Sequence, residues 1–192
     1  MKIEQIDRQD PDFLKYVYQI RRQVFEQELG FPKKDRMTYN EWDALSNHYL
    51  LINEGKPVGT ISIVDWTGLT EILDKYGIDS NLRVAKATKL AILPGHRNAS
   101  NLKKLLTPIK KEIKNYDFLT AEVGPPTDDP TNPTQYNKGM MYQKIFGLNP
   151  LGTIQGNSTI NHILGKQLHT NNRIIQSIRT LTNNNDIFIQ PL

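Results

Sequence analysis

"ILPGHRNASNLKKLL", residues 92–106, is the stretch on which the fold of this chain turns. It leaves an apolar run at Ile92-Leu93, crosses Pro94-Gly95, and enters a segment where Leu102, Leu105, Leu106, Ile109 and Ile113 share one helical face. A strand that turns tightly into a helix presents unpaired N–H groups and a positive dipole end at the turn, a layout that suits phosphate. Phosphate loops usually depend on glycine, because a backbone without Cβ approaches an oxygen closely. Arg97-Asn98-Ala99-Ser100-Asn101-Leu102 has no glycine. Pro108 lies inside the helical pattern. There it either kinks or splits the helix at about 3 kcal/mol, or Thr107-Pro108 starts a second helix.

Working outward, residues 83–93 read as the strand that feeds this turn, and Leu69, Ile72, Leu73 and Tyr76 as a short helix before it. "HYLLINEGKPVGTISIVDW" (48–66) has two apolar runs around Asn53-Glu54-Gly55-Lys56-Pro57 and predicts a β-hairpin. Further upstream, Asp10 caps and Pro11 opens a helix whose stripe is Phe13, Val17, Ile20 and Val24, ending at Gly30-Phe31-Pro32. Downstream, "DFLTAEV" (117–123) reads as a buried strand with Thr120 and Glu122 on one face and Ala121 and Val123 on the other. A stiff Pro-rich loop follows at 124–135, then a helix at about 135–146. Residues 149–192 are Asn-rich, with two or three strand candidates and a helix carrying Ile174, Ile175, Ile178 and Leu181. There is no repeat, so the expectation is a single domain over 1–192. The order helix, hairpin, strand, helix, strand, helix, strand predicts a mixed α/β layout around a central sheet.

Composition narrows the function. Cysteine is absent, which excludes disulfides, thiol chemistry and cysteine-based metal sites. No apolar run approaches the roughly 20 residues of a membrane span. The opening MKIEQIDRQD has no apolar h-region, so a cytoplasmic protein is expected. The net charge is +4 and the pI about 9.2, but the lysines are spread thinly. Nucleic acid would prefer a denser patch; a polyanionic small ligand or an acidic carrier protein fits this balance.

"IRRQVFEQELGFP" (20–32), "NEWDALSNHYLL" (40–51), "GKPVGTISI" (55–63) and "LAILPGHRN" (90–98) come in the order seen in the GNAT superfamily of N-acyltransferases, which the chain resembles over roughly residues 1–152. The first segment and the acids after it are also similar to the acyl-homoserine-lactone synthase and N-acyl amino acid synthase branch. The resemblance implies a central mixed β-sheet flanked by helices, with splayed fourth and fifth strands that admit the pantetheine arm of acyl-coenzyme A. By resemblance, Leu90, Ala91, Ile92 and Leu93 end strand four and Leu119 to Val123 form strand five. The pyrophosphate then lies on the turn spanning Arg97, Asn98, Ala99, Ser100, Asn101 and Leu102. Arg97 falls on the first position of the family motif Arg/Gln-x-x-Gly-x-Gly/Ala, while Ser100 and Leu102 replace its small residues. Some relatives in the synthase branch take the acyl group from acyl carrier protein, which brings a phosphopantetheine arm without adenosine. Residues 153–192 complete or extend the sheet and are available for dimerisation or partner contact.

Amine acylation needs a deprotonated amine, a stabilised oxyanion and a proton for the departing thiolate. Glu122 is the candidate base, with an ordinary strand carboxylate in an ion pair as the alternative. Tyr142, in "GMMYQKIFGL", resembles the family tyrosine that protonates the thiolate; the alternative is core packing, and Tyr136 is the reserve. Glu41 and Asp43 match acidic positions that hold the amino substrate in the synthase branch, although Asn40 takes a place that is often acidic there; the alternative is an ordinary charged loop. Arg21, Arg22 and Phe25 are candidates for lining the acyl or acceptor pocket, with packing the other duty of Phe25. His48 and His96 read as structural or surface residues, and His162 and His169 are too isolated for a metal. The expected activity is acyl transfer, acetyl or longer, from acetyl-coenzyme A or another acyl-coenzyme A to a primary amine of a small molecule or peptide. The alternatives are a carrier-protein-dependent synthase and a GNAT-fold binding module without turnover.

Overall fold

The computed structural model describes residues 2–6, 10–33, 37–123, 146–155 and 160–168. The chain divides into two compact units. One comprises residues 1–65 and 87–112, the other 66–86 and 113–192, so strand β4 (Val84–Ile92) contributes to both.

In the first unit, β1 (Lys2–Ile6), β2 (Ser46–Asn53) and β3 (Lys56–Asp65) form an antiparallel meander. The predicted hairpin is β2–β3, turning at Glu54-Gly55 with both residues at positive φ. β1 was not expected: Ile3 and Ile6 are three residues apart and give no period-2 pattern, and the strand is fixed by pairing with β2 from Lys2 opposite Ile52 to Ile6 opposite His48. Beyond the meander, the Leu93 amide donates to the Val58 carbonyl at 2.9 Å. α1 (Pro11–Arg21) starts as the sequence predicts, with the Asp10 carboxylate accepting from the Asp12 amide and Pro11 in the first turn. It runs on as a π-helical segment, Arg22–Glu28, closed by the Leu29 amide donating to the Val24 carbonyl. The wider turn lets the sequence neighbours Val24 and Phe25 both enter the core, with Val17, Ile20, Leu50 and Ala91.

α3 (Ala99–Glu112) meets the other face of β2, where Asn47 and Tyr49 donate to the Glu112 carboxylate. Alternation along β2 explains the two layers, since Leu50 faces α1 and Tyr49 faces α3. Pro108 does not interrupt α3. The bond it forfeits would go to the Lys104 carbonyl, on an exposed residue that water can reach, and the Thr107 hydroxyl donates to the Lys103 carbonyl at 2.8 Å.

In the second unit, α2 (Thr70–Lys75) precedes the start of β4, and β5 (Phe118–Val123) pairs with β7 (Ile160–Gln167), which pairs with β6 (Asn149–Gln155), both antiparallel. β4 and β5 run in the same direction: Arg83 meets Asp117 where they begin, and Lys86 meets Glu122 further along. The sheet is therefore mixed. Gly165 is required by packing, because a Cβ there would lie 2.5 Å from Leu151 Cδ1 and 2.7 Å from Phe118 Cζ. The predicted helices at about 135–146 and around Ile174–Leu181 fall almost wholly outside the described residues.

Candidate functional site

The loop between β4 and α3 is built as its sequence suggests. Leu93-Pro94-Gly95-His96 is a turn closed by the His96 amide on the Leu93 carbonyl, with Gly95 at φ +80°, a conformation that costs glycine nothing. Asn98 caps α3: its side-chain oxygen accepts from the Asn101 amide at 2.9 Å, and Asn101 ties back to the His96 carbonyl. Arg97 is held by the protein itself. Its Nε donates to the Ile92 carbonyl at 2.7 Å, and its two terminal nitrogens grip both oxygens of Glu28 at 2.5 Å each. Ala99 and Ser100 are exposed, Asn101 is buried and Leu102 is half-buried. Of the strand-four positions, the Leu93 amide and the Ile92 carbonyl are engaged within the unit, Ala91 is buried and Leu90 is half-buried.

Asp43 lies at the centre of a buried polar cluster. It belongs to a short 3₁₀ turn, Glu41–Leu45, where it closes a capping box with Asn40. One carboxylate oxygen accepts from Arg21 at 2.6 Å, the other from Lys89 at 2.8 Å and from the Asn40 amide at 2.8 Å. Burial opposes the charge on Asp43, but Arg21 and Lys89 together hold its carboxyl below the usual range. Arg21 also donates to Ser62 Oγ at 2.5 Å and to the Thr38 carbonyl, and its Nε has no partner among the described residues. Ser62 lies 2.6 Å from His48 Nδ1, and His48 Nε2 lies 3.2 Å from the Asp43 carbonyl. That chain suits a neutral imidazole with its proton on Nε2. Burial, and then the Arg21 charge, push His48 down to about 4. Burial also pulls Lys89 down to about 8, with Arg21 adding to the effect and Asp43 opposing it. Lys89 sits at φ +54°, an uncommon backbone state for a residue with a Cβ, and its tie to Asn40 and Asp43 helps to hold it.

Glu41 is exposed and Phe25 is a core residue in edge contact with Phe31. His48 is structural, as one of the two sequence readings had it, but the sequence did not reveal its partners. Nothing in the sequence marks Ser62 or Lys89 as members of this cluster, and the sequence offers Arg21 only as a pocket residue. A signal for Arg21 existed, since it follows Val17 by four residues and so lies on the buried stripe of α1.

Glu122 extends from β5 in the second unit. Its Oε2 accepts from the Tyr76 hydroxyl at 2.8 Å and from Lys86 Nζ at 2.7 Å. The Lys86 ammonium also lies 4.5 Å from the centre of the Trp66 ring and 5.4 Å from that of Tyr76. Burial and the Glu122 charge raise Tyr76, so it stays a donor. Neither Tyr76 nor Lys86 was identified from the sequence. Tyr142, Tyr136, the loop at 124–134 and His169 lie outside the described residues. No group of His, Asp or Glu able to hold a metal occurs among the described residues, and no described helix is long and apolar enough to cross a membrane.

No protein-family model and no curated protein sequence matches the chain. Solved structures do. Escherichia coli ElaA superposes with a TM-score of 0.61 at 13% identity, over 86% of this chain and 99% of that one. FeeM, an N-acyl amino acid synthase from uncultured soil microbes, gives 0.58 at 13% identity over 87% and 95%. An aminoglycoside 6'-N-acetyltransferase complexed with coenzyme A gives 0.57 at 11% identity over 89% and 99%. The chain thus has the GNAT fold, the α/β architecture that its sequence motifs imply.

Proposed function

We propose that this chain is an N-acyltransferase that moves an acyl group from a pantetheine thioester to a primary amine. The observation that carries the proposal is the fold, which follows N-acyltransferases over nearly the whole of their length, one of them complexed with coenzyme A. Glu122 is the proposed proton acceptor for the attacking amine, acting directly or through water. The amine nitrogen bonds to the thioester carbonyl carbon, the C–S bond breaks, and Tyr142 supplies the proton that the thiolate takes. The Leu93 amide and the Ile92 carbonyl are taken by Val58 and Arg97, so other backbone groups of Leu90 to Leu93 would hold the pantetheine arm and polarise the carbonyl. Asp43 is spoken for by Arg21 and Lys89, so its proposed part in acceptor binding is to fix the segment that carries Glu41.

The donor is acyl-coenzyme A, acetyl or longer. A second donor, acyl carrier protein, is favoured by a specific observation: Arg97 is committed to Glu28 and Ile92, and the Asn98 side chain caps one of the first amides of α3. A donor without pyrophosphate needs less from this turn. The test is thermal stability with coenzyme A, acetyl-coenzyme A, long-chain acyl-coenzyme A and acyl-loaded carrier protein, since a ligand that binds only the native state raises the melting temperature. A rise with one donor, followed by loss of thiol release in Tyr142→Phe, supports the proposal. No rise with any donor points instead to a GNAT-fold binding module.

A further inference from the structure

Two aromatic faces and a carboxylate are the groups that recognise an ammonium: the rings offer negative quadrupole faces, and the carboxylate a charge and an N–H acceptor. Trp66, Tyr76 and Glu122 bring this set together, and the ammonium they hold is the protein's own Lys86. The geometry points to an exchangeable subsite for a primary alkylammonium, walled by Trp66, Tyr76 and Glu122 and filled in this structure by Lys86.

The walls are braced without the occupant. Trp66 is buried, Tyr76 meets it edge-on at 4.9 Å between ring centres, and the Tyr76 hydroxyl donates to Glu122. The occupant, by contrast, reaches solvent, as the side chains of Lys86 and Glu122 keep 14% and 21% of their exposure. Rotation about the lysine side-chain bonds moves the ammonium into water while β4 stays in place. An incoming primary ammonium can make the same contacts with Glu122 and the two rings, so replacing one ammonium by another costs little. The 2.7 Å contact with Glu122 is an N–H hydrogen bond, which a quaternary ammonium cannot make, so a primary ammonium is preferred. The resident group is a primary ammonium on an unbranched carbon, so the fitting ligand is an unbranched alkyl arm ending in –NH₃⁺, such as a lysine side chain or an aliphatic diamine.

The acyl-transfer proposal enters only in what becomes of the bound amine. The nitrogen then loses two protons, one to Glu122 and one that restores the proton Tyr142 gives to the departing thiolate, and a C–N bond replaces the thioester C–S bond. The resulting amide is neutral, so neither the rings nor the carboxylate retains it, and Lys86 returns as the product leaves.

The chain has two tryptophans, and Trp66→Phe assigns the indole N–H signal of Trp66 in an NMR spectrum. Cadaverine is titrated at constant ionic strength into the wild type, Lys86→Ala and Glu122→Gln, with tetramethylammonium as control. The expected result is a saturable shift of the Trp66 signal, about tenfold tighter in Lys86→Ala and about tenfold weaker in Glu122→Gln, with weaker binding of tetramethylammonium than of cadaverine. Equal affinity in the three proteins, or no Trp66 shift in Lys86→Ala, overturns the subsite. Should Lys86→Ala not fold, the wild type against Glu122→Gln decides, and equal shifts overturn it. Acyl transfer from acetyl-coenzyme A to cadaverine is measured alongside. Saturable binding without transfer supports the subsite and counts against acetyl-coenzyme A as the donor to this amine; transfer that Glu122→Gln leaves unchanged overturns the subsite.

Discussion

The two units each hold a lysine against a carboxylate at nearly the same distance, 2.8 Å for Lys89–Asp43 and 2.7 Å for Lys86–Glu122. Their surroundings differ. The side chains of Lys89 and Asp43 are 5% and 2% exposed, and those of Lys86 and Glu122 are 14% and 21%. The first pair is locked among Arg21, His48, Ser62 and Asn40; the second touches water and two aromatic faces. Contact distance alone therefore says little about function. A charge removed from water must be matched group by group, and such a cluster is rigid scaffolding. A charge that still touches water can be exchanged, which is what a binding site requires.

The largest expected effect comes from breaking the buried member. Asp43→Asn leaves Arg21 and Lys89 buried without their counter-charge and should cost about 3–5 kcal/mol of unfolding free energy, read by denaturant titration. Acid tests the same cluster through His48. Its folded value of about 4 lies below the unfolded value of 6.5, so between those pH values the unfolded chain binds a proton that the folded chain refuses. Stability should fall by about 3 kcal/mol as pH drops from 6.5 to 4, and His48→Asn should flatten that slope. In the second unit, packing should matter more than charge. Gly165→Ala drives a methyl into Phe118 and Leu151 and should cost roughly 1–3 kcal/mol. The smallest change is expected from Lys86→Met, about 1 kcal/mol, because Glu122 keeps the Tyr76 hydroxyl and some contact with water. A loss as large as that of Asp43→Asn would erase the contrast between the two pairs.

Local chemistry made much of the architecture legible. Asp10-Pro11 placed the start of α1, Glu54-Gly55 the hairpin, and Pro94-Gly95 the turn into α3, because caps and turns depend on residues close in sequence. The same logic placed Glu122 on β5. Pro108 misled locally: a missing N–H is serious only where the orphaned carbonyl is shut away from water, and the sequence does not say which side of α3 faces out.

The partners were the part that tertiary structure decided. Arg97 and Glu28 are 69 positions apart, Lys89 and Asp43 are 46, and Tyr76 and Glu122 are 46. No periodicity or spacing rule reaches that far. The sequence by itself determined where α1, the β2–β3 hairpin and β5 begin, since these rest on backbone preferences and nearest neighbours, and its motif order already resembled that of the GNAT fold. Only the folded chain decided that Arg97 turns to Glu28, that Asp43 is shut in with two cations, and that Glu122 shares its oxygen with Lys86 and Tyr76. Each of those outcomes depends on which charges are brought together and how much water remains between them.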